Sequence, residues 1–213
     1  MTRPHRIKEK CVMCGHEQNH TELMSTNSFG YMDLDTRPPE MARSTLKYMI
    51  QMCENCAYAN EEISEMIKGI DPEDLKTASY KAVLNDDKIN RTAKAFLLAG
   101  QLYRQVKKFK TSGLHHLGAA WTFDDLEEQD NAKQARDKAI EDINKHVERS
   151  DNTNLSVMRV DLYRRNGRFK EAEEAAEQLI GQGVKDIMKK VLKLQIKLCQ
   201  DKDDRCHTVE EAL

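Results

Sequence analysis

Four cysteines in two close pairs, Cys11-Val12-Met13-Cys14 and Cys53-Glu54-Asn55-Cys56, are the residues of this chain best suited to chemistry. Each CxxC pair spans one edge of a tetrahedron, and the segment between Cys14 and Cys53 is long enough to fold back and bring the pairs together. The expected chemistry is ligation of one ion by four thiolates. Sulfur then fills every position, which leaves none for a substrate or an activated water, so the ion is structural. Zinc is the expected metal, and iron suits the same geometry. Gly15 follows the first pair, where a tight turn lets amide N–H groups point at sulfur; Ala57 holds the matching place in the second. Lys8, Lys10 and Arg37 are candidates to offset the thiolate charge. A redox CxxC needs a strand leading into a helix N-terminus, and no such pattern surrounds either pair.

Other chemistry-bearing residues are weaker candidates. His16 and His20 could replace a sulfur, although four sulfurs suffice. Cys199, Cys206 and His207 could make a second metal site, but a charged, helix-breaking segment lies among them. His115 and His116 are adjacent on a helix and face apart by about 100°. Trp121 with Asp124-Asp125 is explained by a core aromatic and an acidic helix end. Asp33-Leu34-Asp35 sets two carboxylates on one side of an extended segment, without the further ligands or cleft that calcium or acid–base work requires. No catalytic constellation emerges, and the expectation is a protein that is not an enzyme.

The elements that must position the cysteines read as a small β region followed by helices. Residues 1–60 carry turn residues between β-leaning stretches, with Thr21–Phe29 and Thr45–Met52 as strand candidates. In the second, Leu46, Tyr48, Ile50 and Met52 alternate with more polar neighbours and lead into Cys53. After Cys56 the period becomes helical at Ile63, Met66, Ile67 and Ile70. Asp71-Pro72-Glu73-Asp74 then offers a capped helix start. From about residue 90 apolar stripes at helical spacing run almost to the end, and a charged tail, residues 201–213, is expected to be loosely held. The expected division is 1–60 ribbon, 61–90 helical linker, 91–200 helical array and 201–213 tail.

Composition agrees. Of 213 residues 39% are hydrophobic, 33% charged and only 6% aromatic, which suits an elongated helical array better than a β-sandwich. A net charge of −2, with acids and bases balanced over residues 1–60, argues against nucleic acid as the partner. No apolar run approaches the roughly 20 residues of a membrane span, and the first residues lack a signal-peptide pattern. A cytoplasmic setting with reduced thiols is the expectation.

Leu162-Tyr163-Arg164-Arg165-Asn166-Gly167-Arg168-Phe169-Lys170-Glu171-Ala172 resembles the middle of a tetratricopeptide repeat, in which a tyrosine ends one helix, glycine and an aromatic make the turn, and Glu-Ala opens the next. Gly100-Gln101-Leu102-Tyr103 through Phe109 is a weaker copy. Tyr103 and Tyr163 are not separated by a multiple of the usual period of about 34 residues. If the family's groove positions carry over, Lys94, Leu97, Gln101 and Arg104 line a concave face, with Asn154, Val157, Asp161, Arg164 and Arg165 in the second copy. The resemblance implies a basic groove for a protein partner, an extended acidic peptide or a C-terminal carboxylate; the competing reading is a set of solvated outer-face charges.

The stretch Ser25–Met41, with Asp33-x-Asp35-x-Arg37-Pro38-Pro39 set between the two CxxC pairs, is similar to a bacterial family of uncharacterised proteins. That family joins a zinc-ribbon-like N-terminal region to tetratricopeptide-like helices. The resemblance implies an architecture and no activity: mainly α, with a tetratricopeptide-like array and a small N-terminal β zinc ribbon. A buried ion-pair cluster that pins the ribbon against the helices is the expected role of Asp33, Asp35 and Arg37, with a partner-binding loop second. The functional expectation is a zinc-binding scaffold or adaptor. Two alternatives are a nucleic-acid-associated ribbon protein, and a metal- or thiol-dependent enzyme with its site near Asp33, Asp35 and Trp121.

Overall fold

A computed structural model describes residues 3–213. The chain is mainly helical with a small antiparallel β region at its N-terminal end. Contacts divide it into two units. The first joins the residues up to Asn27 to Ser44–Asp142, and the second joins Ser28–Arg43 to Ile143–Leu213.

In the first unit, β1 (Arg3–Lys10) and β2 (Glu17–Ser25) pair antiparallel from Lys10↔Glu17 outward. β3 (Gln51–Met52) and β4 (Ala59–Asn60) form a second, shorter hairpin. Each CxxC is therefore the turn of a hairpin. The sequence gives no strand signal for β1, which is nearly all charged or polar; pairing with β2 makes it a strand, and that register also draws β2 back to Glu17 from the expected Thr21 start. The second expected strand, Thr45–Met52, is extended only at Gln51–Met52. Leu46–Tyr48 is a 3-10 turn held by Tyr48 N–H to Thr45 O at 2.9 Å and Met49 N–H to Leu46 O at 3.0 Å. Buried Leu46 and Ile50 are four residues apart, a spacing that also suits a helical turn, and local bonds decide between the two periods.

The expected helix start at Asp71 yields one 3-10 turn, Asp74–Lys76, before the chain restarts at Thr77, which caps α2 (Ala78–Leu84). α3 (Arg91–Gln105), capped by Asn90 Oδ1 accepting from Thr92 N–H at 2.8 Å, packs against α4 (Phe109–Asp125). Two glycines set their separation: a Cβ on Gly118 would meet the Phe96 ring at 2.8 Å, and one on Gly100 would meet His116 Nε2 at 2.7 Å. α5 (Gln129–Val147) follows, and the boundary between the units falls within it.

In the second unit, α6 (Thr153–Arg165), α7 (Phe169–Gly181) and α8 (Asp186–Gln200) pack together, preceded in sequence by the short α1 (Glu40–Arg43). α3 and α6 end alike. After α3 a left-handed Lys107 (φ 58°) lets Lys108 N–H reach Tyr103 O at 2.9 Å; after α6 a left-handed Gly167 (φ 75°) lets Arg168 N–H reach Tyr163 O at 2.9 Å. In both, the basic residue after the turn lies over the tyrosine ring, Lys108 at 5.8 Å and Arg168 at 4.6 Å.

The C-terminal segment is not loose. Leu34 N–H donates to His207 O and Val209 N–H to Met32 O, both at 2.9 Å, and a capping box of Thr208 and Glu211 opens a last 3-10 turn, Val209–Ala212. Its charges do not expel it, because several are used internally: His207 pairs with Glu211 at 2.7 Å and Arg205 with Asp203.

Candidate metal centre and the other predicted sites

The two hairpin turns carry the same hydrogen bonds. Cys11 N–H donates to His16 O and Gly15 N–H to Cys11 O, each at 2.8 Å; Cys53 N–H donates to Tyr58 O and Ala57 N–H to Cys53 O, each at 2.9 Å. Gly15 (φ 73°) and Ala57 (φ 60°) both sit in the left-handed region, so the second turn holds a strained alanine where the first has glycine. Tyr80 of α2 supports that turn by donating from its hydroxyl to Ala57 O at 2.8 Å. Gln18 ties β2 to the second hairpin, donating to Met52 O at 3.1 Å and accepting from Glu54 N–H at 2.7 Å.

These supports bring Cys11, Cys14, Cys53 and Cys56 together, with all four sulfurs within 4.8 Å of one another. Cys11 and Cys56 sulfurs are 3.7 Å apart, and those of Cys14 and Cys53 3.6 Å. Sulfurs about 2.3 Å from a central zinc would stand about 3.8 Å apart at the corners of a tetrahedron. The four sulfurs therefore fit a tetrahedral ion, and none of the pairs is bonded as a disulfide. Burial raises the Cys14 thiol, but hydrogen bonds from the Asn55 side chain, the His16 amide and the neighbouring cysteines outweigh it and bring it down to about 6. Cys11 and Cys56 are pushed up, first by burial. A divalent cation is what would turn all four of these thiols into thiolates together. Neither CxxC lies at a helix N-terminus, the placement that redox pairs exploit.

The other predicted ligands and counter-charges lie elsewhere or are engaged. His20 Nε2 is 2.9 Å from Gln18 Nε2, and His16 is exposed. Lys8 pairs with Glu17 across the β1–β2 ladder, while the Lys10 chain runs beside Gly15. Arg37 belongs to the second unit. Cys206 donates to Asp33 Oδ2 at 3.0 Å and Cys199 is buried, so they do not join His207 in a cluster; among the described residues the four cysteines are the group with metal-ligand spacing.

The Asp33-x-Asp35-x-Arg37 motif is a buried ion-pair cluster within the second unit. Arg43 Nη2 donates to both Asp33 oxygens at 2.7 and 2.8 Å, Arg37 N–H donates to Asp35 Oδ1 at 3.1 Å, and Arg165 Nη1 lies 3.5 Å from Asp35 Oδ2. Burial pushes the Asp33 carboxyl above its ordinary range. The cluster fixes the 33–43 segment to α6 and to the C-terminal segment.

The predicted groove residues have these places. Arg164, fully buried, pairs with Asp161 Oδ1 at 2.6 Å and also donates to Asp203 O. Asp161 and Arg165 are buried as well, and Val157 with them. A groove arginine must offer a free guanidinium edge to a peptide carboxylate, and that of Arg164 is spent inside the fold. In the first unit, Lys94 Nζ donates to Leu84 O at 2.8 Å, and Arg104 Nε donates to Asp142 Oδ2 at 3.1 Å and Nη1 to Glu141 Oε2 at 3.0 Å. Gln101 is half-buried and Leu97 buried; Asn154 is exposed.

One constellation was missed. Asp142, fully buried, accepts from Ser112 Oγ at 2.6 Å and from Arg104, and His116 Nδ1 stands 3.1 Å from it. Burial holds His116 below the ordinary histidine range; it works against Asp142, yet His116, Ser112 and Arg104 together hold that carboxylate ionised below its ordinary range. The visible signal was His116 on an apolar helix face, but its partner lies on a different helix. Its neighbour His115 bonds Thr111 O at 2.8 Å and packs against Tyr103 at 5.1 Å.

No helix among the described residues is long and apolar enough to cross a membrane. A family described as "uncharacterized protein conserved in bacteria (DUF2225)" matches residues 7–202. No curated protein and no solved structure matches the chain.

Proposed function

The chain belongs to the DUF2225 family of bacterial proteins, and from that premise we propose that it is a non-enzymatic scaffold whose N-terminal hairpins are stapled by one structural zinc. The observation that carries this reading is the near-tetrahedral spacing of the Cys11, Cys14, Cys53 and Cys56 sulfurs. Bound there, zinc would supply four coordinate bonds that cross-link the two hairpins through their turns. The four residues close the coordination shell, the two amide-lined turns orient them, and Tyr80 and Gln18 hold the turns in register. Zinc is favoured over iron because the site's work is structural and needs no redox partner.

The scaffold part of the reading draws on the repeated helix–turn–helix of α3–α4 and α6–α7. The matching Tyr103 and Tyr163 ends and the following Phe109 and Phe169 support a tetratricopeptide-like array. Its partner is a protein, contacted through exposed first-helix positions such as Asn154. The arginine ion pairs in the interior are structural.

Cobalt substitution tests the staple. One cobalt per chain with tetrahedral d–d bands and thiolate charge-transfer absorption is expected; an octahedral spectrum, or less than one ion per chain, overturns it. A photo-crosslinking residue at Asn154 is expected to trap one defined protein in cells, and the same residue at exposed Gln134 to trap none. Equal, diffuse labelling from both positions rejects the scaffold reading.

A further inference from the structure

A cavity of about 260 Å³ opens in the first unit between β2, the 47–52 segment and the first turn of α3. His20 lines it from β2, and a neighbour fixes where its proton sits. Gln18 accepts from Glu54 N–H at 2.7 Å and donates to Met52 O at 3.1 Å, so its oxygen and its NH₂ group are both assigned. The same NH₂ stands 2.9 Å from His20 Nε2, which must therefore accept. The imidazole is then neutral with its proton on Nδ1, in keeping with burial that holds His20 below the ordinary histidine range. Among the described residues no acceptor meets that Nδ1–H, and the atom keeps access to solvent. Lys47 lines the same cavity. It is exposed, its ammonium lies 5.1 Å from the centre of the Tyr48 ring, and it enters no hydrogen bond or ion pair among the described residues. Arg91 adds a guanidinium from α3; only its Nη2 meets Glu54, at 3.3 Å with both side chains more than half exposed, which leaves other N–H donors in reach of a ligand. No carboxylate is in the lining: Glu22 and Glu54 act on His20 from outside it.

A fixed N–H donor, an ammonium without an anion and a partly used guanidinium define an oxyanion as their complement. We propose that this cavity binds the phosphate group of a small ester, its oxygens accepting from His20 Nδ1–H, Lys47 Nζ and Arg91, with the organic part against Tyr48 and Met52. A phosphate monoester offers three strong acceptor oxygens and close to two negative charges, which matches three donors and two cations; a carboxylate has two oxygens and one charge. The volume lies below the roughly 300–1,000 Å³ of sites for drug-sized ligands, so the organic part is limited to a few carbons. Gln18 is a positioning residue, because it sets the tautomer that turns the His20 proton outward. The reading of this site does not rest on the metal staple or on the scaffold.

The experiment is calorimetry of the full chain at constant ionic strength against glycerol 3-phosphate and ribose 5-phosphate. Inorganic phosphate, glycerol and acetate serve as probes that each lack part of the pattern. At least one ester is expected to bind more tightly than all three partial probes and to shift the His20 Nδ1 resonance in long-range ¹⁵N spectra. K47M should weaken that ester about tenfold or more, the scale of one lost charge-assisted hydrogen bond. Lys47 makes no hydrogen bond within the fold, so K47M is expected to fold as the wild type does. K189M, at an exposed lysine of α8 in the second unit, should leave the affinity unchanged. The proposal is overturned if neither ester binds, if inorganic phosphate binds as tightly as the better ester, or if K47M and K189M behave alike. Metal content is measured alongside, so loss of the staple is distinguished from loss of this site.

Discussion

Replacing Asp142 with asparagine changes one oxygen to an NH₂ group at the point where α3, α4 and α5 share an acceptor. The carboxylate takes hydrogen bonds from Ser112 Oγ at 2.6 Å and Arg104 Nε at 3.1 Å, with His116 Nδ1 at 3.1 Å. Bonds to a charged acceptor contribute about 1.5–3 kcal/mol each. Arg104 is about a third exposed and keeps Glu141, so its share is discounted. All three donors meet the same oxygen, Oδ2, so asparagine can keep its oxygen there, but as a neutral acceptor worth about 0.5–1.5 kcal/mol per bond, while its NH₂ replaces Oδ1, 2.9 Å from the Arg104 Nε donor. The net expectation is a loss of about 3 kcal/mol. For a unit of this size that lowers Tm by about 10 °C. Trp121, the single tryptophan, lies buried in α4 and reports this unit selectively in urea and thermal melts. The double variant with S112A should fall short of additivity by about 1 kcal/mol, since both changes strike one bond. A loss under about 1 kcal/mol for D142N, or strict additivity with S112A, refutes the hub.

Acid should weaken the same unit. Burial lowers His115 and His116, so the unfolded chain binds protons first, and stability falls as pH drops below about 6.5, by at most about 1.4 kcal/mol per pH unit for each histidine. Asp142, also lowered, adds its loss only below about pH 4. H115F should flatten the Trp121-monitored slope between pH 6.5 and 5; an unchanged slope contradicts the assignment. R164L strands Asp161 in the interior and should cost about 3–5 kcal/mol, whereas R164L/D161L should recover most of it, read by hydrogen exchange in α6. If the double variant exchanges as fast as the single, the pair has another role. A chain ending at Arg205 loses the bonds from Leu34 to His207 and from Val209 to Met32, together with the Cys206–Asp33 contact. It should lose about 2–4 kcal/mol in the second unit and expose the 33–43 loop to protease, and an unaltered cleavage pattern would show that the segment is loosely held.

How much could be read in advance depended on the range of the interactions. The four cysteines were legible because CxxC spacing is itself the geometry of a tetrahedral edge. The helices from residue 90 onward were legible from apolar stripes, and the Asn166-Gly167 stop was visible as a left-handed turn. Lys107 makes the same turn after α3 without glycine, because pairing of the helices on both sides enforces it. β1 was illegible since its charged residues carry no strand period, and only the register with β2 makes it extended. The ion pairs of Asp35 with Arg165, and the contact of Asp33 with Cys206, join residues far apart in sequence. A charged tail looks solvated until its partners are known. The same holds for Arg164, which reads as a surface cation on helical spacing and is buried with Asp161.

The measurement that reaches the central claim most directly is metal per chain for the wild type and for C53S, with hydrogen exchange followed separately in the β1–β2 and β3–β4 hairpins and in α6–α8. One zinc per wild-type chain is predicted, lost in C53S together with hairpin protection while α6–α8 keep theirs. Metal-free wild type with protected hairpins and four titratable thiols would contradict the account.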